Sequence, residues 1–236
     1  MKPAIIVTGG TKGIGKAILE KFAPENFTLI TCSRSEHNLA ELKTEFSEKY
    51  PECPLYTWVA DLSEKSEAKK FVQFIENLGL EIDILVNNVG LFIPGQIYNE
   101  AEGNFELMMQ ANVYSAYYLT RGIIDHLMTR KKGHIFNICS IASIVPYIKG
   151  SSYSISKFAL LGLSKVLREE LKPYNIKVTA ILPSATLTDS WNGTEEPPER
   201  FLKVEDIADV VYSCYQLSPQ AVLEEIVIRP QLGDLL

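Results

Sequence analysis

"AIIVTGGTKGIGKAILEKF", residues 4–22, joins a short apolar, β-branched run to a longer amphipathic segment across a glycine-rich turn. The run reads as a strand and the segment as a helix, with Gly9, Gly13 and Gly15 at the turn between them. Glycines there permit a tight turn and let a pyrophosphate approach the backbone. The start of the following helix supplies free N–H groups and the positive end of the dipole. A P-loop is excluded, because no Gly-Lys-Ser/Thr closes the motif.

The same rhythm continues along the chain. Apolar runs at 4–8, 27–32, 55–59, 82–87, 134–138, 177–182 and 224–229 read as strands, apolar on both faces as in a parallel sheet covered by helices. Helices are expected over 13–23, 36–49, 64–78, 103–130, 152–172 and 204–217, with Ser63 as the N-cap of the third. Repeated βα units imply right-handed crossovers, so the fold class is α/β, a doubly wound (Rossmann) sheet of seven parallel strands with helices on both faces. With no internal repeat or linker, residues 1–236 read as one domain. Residues 184–203 break the rhythm and read as a lid beyond a strand end, the edge where open α/β sheets bind ligands.

Composition narrows the functions. The chain has 236 residues, 46% hydrophobic and 22% charged, with a formal charge of −6. That acidic balance, without basic blocks, argues against a nucleic-acid partner. The one compact basic run, Arg130-Lys131-Lys132, reads as a helix C-terminus favoured by the dipole. Cys32, Cys53, Cys139 and Cys214 form no CxxC pair, and His37, His126 and His134 are scattered, so no disulfide framework or metal site is expected. The first apolar run is short for a signal peptide, and no run approaches the ~20 residues of a membrane span. A cytoplasmic location without membrane contact is the expectation.

Chemistry enters with "YSISKFALLG", residues 153–162. Tyr153 and Lys157, four apart on a helix, share one face. With 11 tyrosines in the chain, roughly one such pair arises by chance, so the pair acquires meaning only from its context. The context is a set of ordered motifs: Thr8 to Gly15 as T-G-x3-G-x-G, "NNVG" at 87–90, Asn112 within a helix, Ser140 thirteen residues before Tyr153, Tyr-x3-Lys itself, and "PSATLT" at 183–188. Over essentially its whole length the chain resembles the short-chain dehydrogenase/reductase family. It departs from the family pattern at Val89 for alanine, Ser184 for glycine and Thr186 for valine, changes of shape rather than of chemistry.

The resemblance implies a catalytic set of Asn112, Ser140, Tyr153 and Lys157. Tyr153 would pass a proton to the carbonyl oxygen, and Ser140 would hydrogen-bond that oxygen. Lys157 would tune the phenol and hold the nicotinamide ribose, and Asn112 would help hold a water leading to solvent. A free phenol ionises near pH 10, too high for work at neutrality. One ammonium about 4 Å away, at an effective dielectric near 20, supplies ~4 kcal/mol against that cost.

The resemblance further implies that Thr8, Gly9, Thr11, Lys12, Gly13, Ile14, Gly15, Asp61, Leu62, Asn88, Gly90, Pro183, Thr186 and Thr188 lie along a dinucleotide, with Tyr153 and Lys157 at its nicotinamide end. At the end of the second strand, Ser33 occupies the position where NAD enzymes place an acid, and Arg34 can fork onto a 2′-phosphate. Lys12 adds a second cation, so NADP(H) is expected over NAD(H), with Glu36 the residue that would reverse the choice. The substrate pocket is expected at Ser140, Ala142, Tyr147, Tyr153, Ser184 and Trp191, with Trp191 either an aromatic wall or packing for the lid. The implied activity is reduction of a small-molecule carbonyl to a secondary alcohol, 3-oxoacyl-carrier-protein reductase-like or sepiapterin reductase-like. The first would need a basic docking patch, and none is clear. A catalytically silent NADP(H) sensor and a nucleotide-sugar epimerase are the rivals; the intact tetrad opposes the first and the glycine spacing the second. Family members associate through the helices at 103–130 and 152–172, so a homodimer or homotetramer is expected.

Overall fold

A computed structural model describes residues 2–191 and 193–235. The strands are β1 (Ala4–Thr8), β2 (Thr28–Ser33), β3 (Leu55–Val59), β4 (Ile82–Asn87), β5 (Gly133–Ile138), β6 (Ile176–Pro183) and β7 (Glu225–Ile228). Between them run α1 (Gly13–Phe22), α2 (Glu36–Lys49), α3 (Lys65–Asn77), α4 (Asn104–Met109), α5 (Ser115–Arg130), α6 (Ser151–Leu171) and α7 (Val204–Gln216). All seven strands pair in parallel in one sheet, in the order β3-β2-β1-β4-β5-β6-β7.

Alternation along each strand builds two apolar layers. Ile5 and Val7 of β1 pack with Ile18 and Phe22 of α1 and Val211 of α7, whereas Ala4 and Ile6 face the side of Phe71, Leu119 and Leu127 from α3 and α5. The strand order reverses between β1 and β4. A crevice therefore opens beyond their carboxyl ends, where the glycine turn after β1 and the Asn88–Gly90 segment after β4 meet. No helix among the described residues is long and apolar enough to cross a membrane.

Two local expectations need correction. The helix expected over 103–130 is two helices joined by a π-turn at Gln110–Tyr114, and Asn112 within that turn is fully buried. Ser63 does not cap α3: the N-cap is Glu64, which makes no side-chain cap bond, and Ser63 donates to Asp61 Oδ1 at 2.6 Å instead. Ser35 is a true cap, its hydroxyl accepting from Asn38 N–H at 3.2 Å at the start of α2. The basic run does end α5, with Lys131 at φ 50°. Arg130 and Lys132 reach further, to the buried Asp83 carboxylate at 2.8 and 2.5 Å.

Candidate active site

The glycine turn is shaped by contacts that a β-carbon would break. Gly13 sits at φ +53°, and a Cβ on Gly15 would lie 2.5 Å from the Gly9 carbonyl oxygen. Lys12, the N-cap of α1, makes no side-chain cap bond, so the first N–H groups of that helix are left for a ligand in front of them. The Thr8 hydroxyl accepts from the backbone N–H groups of Asn88 and Val89 at 2.9 and 3.0 Å. Asn88 Nδ2 donates back to the Thr8 and Gly9 carbonyls at 2.9 and 3.3 Å. Thr8 is 2% exposed; it fixes the turn to β4 and has no hydroxyl to offer a ligand.

At the end of β2 a second group gathers. Ser33 Oγ accepts from Thr11 Oγ1 at 3.5 Å and from Ser35 N–H at 3.3 Å. The exposed Arg34 guanidinium stands 3.9 Å from Asp61, whose other oxygen is held by Ser63. Leu62 is buried in the core, so its side chain faces away from any ligand. Glu36 opens α2 and lines a groove with Thr57, Trp58 and Val59. Lys12, expected to face the same phosphate as Arg34, pairs with Asp189 of the 184–203 segment at 3.3 Å.

From there a cavity of about 330 Å³ runs between Asn88 and Gly90 on one side and Ser140, Tyr153 and Lys157 on the other. Lys157 is 4% exposed, and its ammonium donates to the Ile138 carbonyl at 2.9 Å and lies 5.7 Å from the Tyr153 ring centroid. Among the described residues no carboxylate comes within 4.0 Å of it. A buried cation with no counter-ion among the described residues therefore stands beside the Tyr153 ring and lines the cavity. Ser140 caps a short 3₁₀ turn at Ile141–Ser143, its Oγ accepting from Ala142 N–H at 3.1 Å. That contact uses a lone pair and leaves the hydroxyl hydrogen free to donate into the cavity.

Asn112 comes to the same place by another route. Its Oδ1 accepts from Leu91 N–H at 2.6 Å, and its Nδ2 donates to Leu91 C=O at 2.9 Å and Ser156 Oγ at 2.8 Å. Both amide hydrogens are spent, so the side chain is a brace between the loop after β4 and α6. One Oδ1 lone pair remains, and it and the Lys157 ammonium flank Gly90 at 3.4 and 3.5 Å from where its Cβ would stand.

Residues after β6 close the far wall. Pro183, Ser184, Thr186, Thr188 and Trp191 line the cavity, as do Ile14, Ala142 and Tyr147. Thr186 bridges to Leu202, which ties the base of the 184–203 segment. Trp191 lines the cavity and packs edge-on against Phe201 at 5.0 Å. Phe92 stands edge-on to Tyr153 at 5.1 Å. Sequence reasoning missed Asp234. It is the cavity's only carboxylate among the described residues, accepts from Ser184 Oγ at 2.5 Å and pairs with Arg229. It lies fifty residues after Ser184 with no spacing rule between them, so only its acidity in an otherwise apolar tail could have marked it.

A dinucleotide fits these residues: a glycine cradle that excludes β-carbons, an uncapped helix start, a cation at the end of β2 and a buried ammonium at the far end. Comparison with known proteins agrees. The chain is 30% identical to a sepiapterin reductase of Chlorobaculum tepidum, covering 100% of this chain and 99% of that protein. Its structure resembles that of L-sorbose reductase from Gluconobacter frateurii complexed with NADPH and L-sorbose, with TM-score 0.88 and 26% identity over 96% of this chain and 95% of that one. A metagenomic short-chain oxidoreductase in complex with NADP gives TM-score 0.85 and 26% identity over 98% of each chain. The family model for short chain dehydrogenase matches residues 3–199, and the chain belongs to that family of oxidoreductases.

Proposed function

We propose that the protein is an NADPH-dependent reductase that converts a ketone to a secondary alcohol. The observation carrying this reading is the buried Lys157 ammonium, without a carboxylate partner among the described residues, beside the Tyr153 ring in the crevice that the glycine turn opens. Gly9, Gly13 and Gly15 would admit the pyrophosphate to the start of α1, and Ser33 and Arg34 would receive the 2′-phosphate. Lys157 would hold the nicotinamide ribose. The bound dinucleotide would supply the hydride.

The side chains account for the proton and the charge. Tyr153 gives its phenolic proton to the substrate oxygen, and Lys157 stabilises the phenolate left behind. The Ser140 hydroxyl donates to the same oxygen as negative charge gathers there. Asn112 keeps the loop carrying Leu91 fixed against α6, so the carbonyl meets both hydroxyls in one orientation.

Asp234 favours the sepiapterin-like alternative over a 3-oxoacyl thioester. Arg229 offsets its charge, so the carboxylate suits a neutral partner with N–H donors, such as the aminopyrimidinone edge of a pterin. An acyl chain offers no donor to it. The test is turnover of a pterin side-chain ketone, a 3-oxoacyl thioester and a simple diketone with NADPH and with NADH, for the parent and for Tyr153→Phe and Asp234→Ala. Tyr153→Phe is expected to lose turnover by at least about a hundredfold while still binding NADPH. Asp234→Ala is expected to raise KM for the pterin alone. Undiminished turnover in Tyr153→Phe would remove the reductase reading. Equal effects of Asp234→Ala on all three substrates would remove the pterin one.

A further inference from the structure

One carboxylate beside the cavity has no part in the reaction above. Glu100 lies in the connection between β4 and α4, and its Oε1 accepts from the hydroxyl of Ser152, the residue before Tyr153. Its Oε2 is buried without a hydrogen-bond partner among the described residues. Around it the two walls of the cavity are stitched together at the first turn of α6. Gly95 N–H donates to Lys149 C=O at 2.9 Å, Ser151 N–H donates to Gly95 C=O at 3.0 Å, and Gly95 and Gly150 form an isolated parallel bridge.

The stitch leaves no room for side chains. A Cβ on Gly95 would lie 2.7 Å from the Cβ of Glu100. One on Gly150 would lie 2.7 Å from the Phe92 ring and 3.5 Å from the Cβ of Tyr153. Gly150, the N-cap of α6, offers no side-chain cap of its own. The connection from β4 therefore secures the start of a helix whose third residue is Tyr153, through the Gly95 carbonyl and through the side chain of Glu100. A carboxylate suits this position, since it accepts a charge-assisted bond from Ser152 and its negative charge faces the positive end of a 21-residue helix. An orphaned buried oxygen is unfavourable for folding, and such features survive where geometry matters.

We infer that Glu100 is a positioning residue. Through Ser152 it locks the first turn of α6 onto the loop carrying Phe92 and thereby sets the direction of the Tyr153 hydroxyl. The inference rests on the reading of Tyr153 as proton donor. It calls for Glu100→Ala, Glu100→Gln, Ser152→Ala, the Glu100→Ala/Ser152→Ala double variant and Tyr153→Phe. The readouts are amide hydrogen exchange in the cofactor-free protein, NADPH affinity by fluorescence, kcat and KM.

Glu100→Ala is expected to speed exchange over residues 151–157 while leaving β1 and β4 unchanged. It is expected to lower kcat about tenfold through misplacement of the phenol, with KM and NADPH affinity kept. Ser152→Ala should match it, and the double variant should be no worse than either single one, because both break one contact. Glu100→Gln retains an acceptor oxygen for Ser152 and should recover most of kcat. Unchanged exchange and kcat in Glu100→Ala beside an inactive Tyr153→Phe would overturn the clamp alone. Additive losses in the double variant, or a loss of NADPH affinity equal to that of kcat, would also overturn it. Full turnover in Tyr153→Phe would overturn the clamp's catalytic part together with the reductase reading.

Discussion

In the proposed function, the choice of dinucleotide rests on Arg34, a single exposed guanidinium. Its contact with Asp61 spans 3.9 Å, and an exposed pair at that distance holds neither partner firmly. Glu36, which could have favoured a 2′-hydroxyl, starts α2 behind the Ser35 cap and turns to the groove beside Trp58. Lys12 pairs with Asp189 instead, through another exposed contact that a phosphate could displace. Arg34→Ala should therefore weaken NADPH binding about tenfold, the lower range for a charged hydrogen bond, and leave NADH binding unchanged in a fluorescence titration. Equal weakening of both would sink the 2′-phosphate assignment. At this scale the sequence singled out Ser140 and Lys157, which the structure sets along one cavity, and Gly15, where a side chain would meet the Gly9 carbonyl. It was not legible where a motif position turns its side chain inward: Thr8 and Leu62 serve the turn and the core, and only the three-dimensional neighbours of each decide that.

Strands and helices followed their hydrophobic periods closely, and the exceptions have physical causes. The π-turn at Gln110–Tyr114 leaves no mark in apolar spacing, because one extra residue per turn is smaller than the scatter of the pattern. His134, near the start of β5, shows a similar limit: its isolation in the sequence argues against a metal site, and only the structure shows what holds it. Thr179 Oγ1 donates to Leu223 C=O at 2.6 Å, so at 2.7 Å it must accept from His134 Nε2–H. His134 Nδ1 is then bare and without a partner among the described residues. Burial, with Lys177 adding to it, pushes the imidazole pKa down to about 3. The unfolded chain protonates this ring below about pH 6.5 while the folded one does not. Stability contributed here is present above that pH and is lost as pH falls from about 6.5 toward 3. At pH 4.5 the loss is on the order of 2–3 kcal/mol. Urea midpoints at pH 7.5 and 4.5 should differ more for the parent than for His134→Leu, even though the variant is less stable at pH 7.5. Parallel pH dependence in the two proteins would show that His134 is not the group responsible.

For the molecule as a whole, the alternation of strands and helices sufficed for a doubly wound sheet, but not for the place where the far C-terminal segment returns to the cavity with Asp234. Another large-scale feature is a face that the monomer leaves uncovered. Ile155, Phe158 and Val166 of α6 are exposed, with Gly162 among them at helical spacing, and Phe105, Leu107, Tyr114 and Tyr117 are exposed along α4, the π-turn and α5. So many large apolar side chains on neighbouring helices exceed the scattered exposure usual for a monomer. Nothing lies within 4 Å of a Cβ placed on Gly162, so a helix of a second copy could approach that gap closely. Two-fold pairing would set this face against itself, as in isologous dimers. Gly162→Glu separates association from folding. Inside an exposed helical stretch, glycine to glutamate favours the helix by roughly 0.5–1 kcal/mol, and the new β-carbon has open space around it among the described residues. Across a two-fold interface the same change buries two like charges near the point of closest approach. In sedimentation at micromolar concentration the parent should run as a dimer or larger, and Gly162→Glu as a monomer with its thermal transition still cooperative. A monomeric parent, or a variant that stays associated, would show that the exposed helical face is not where copies of this chain meet.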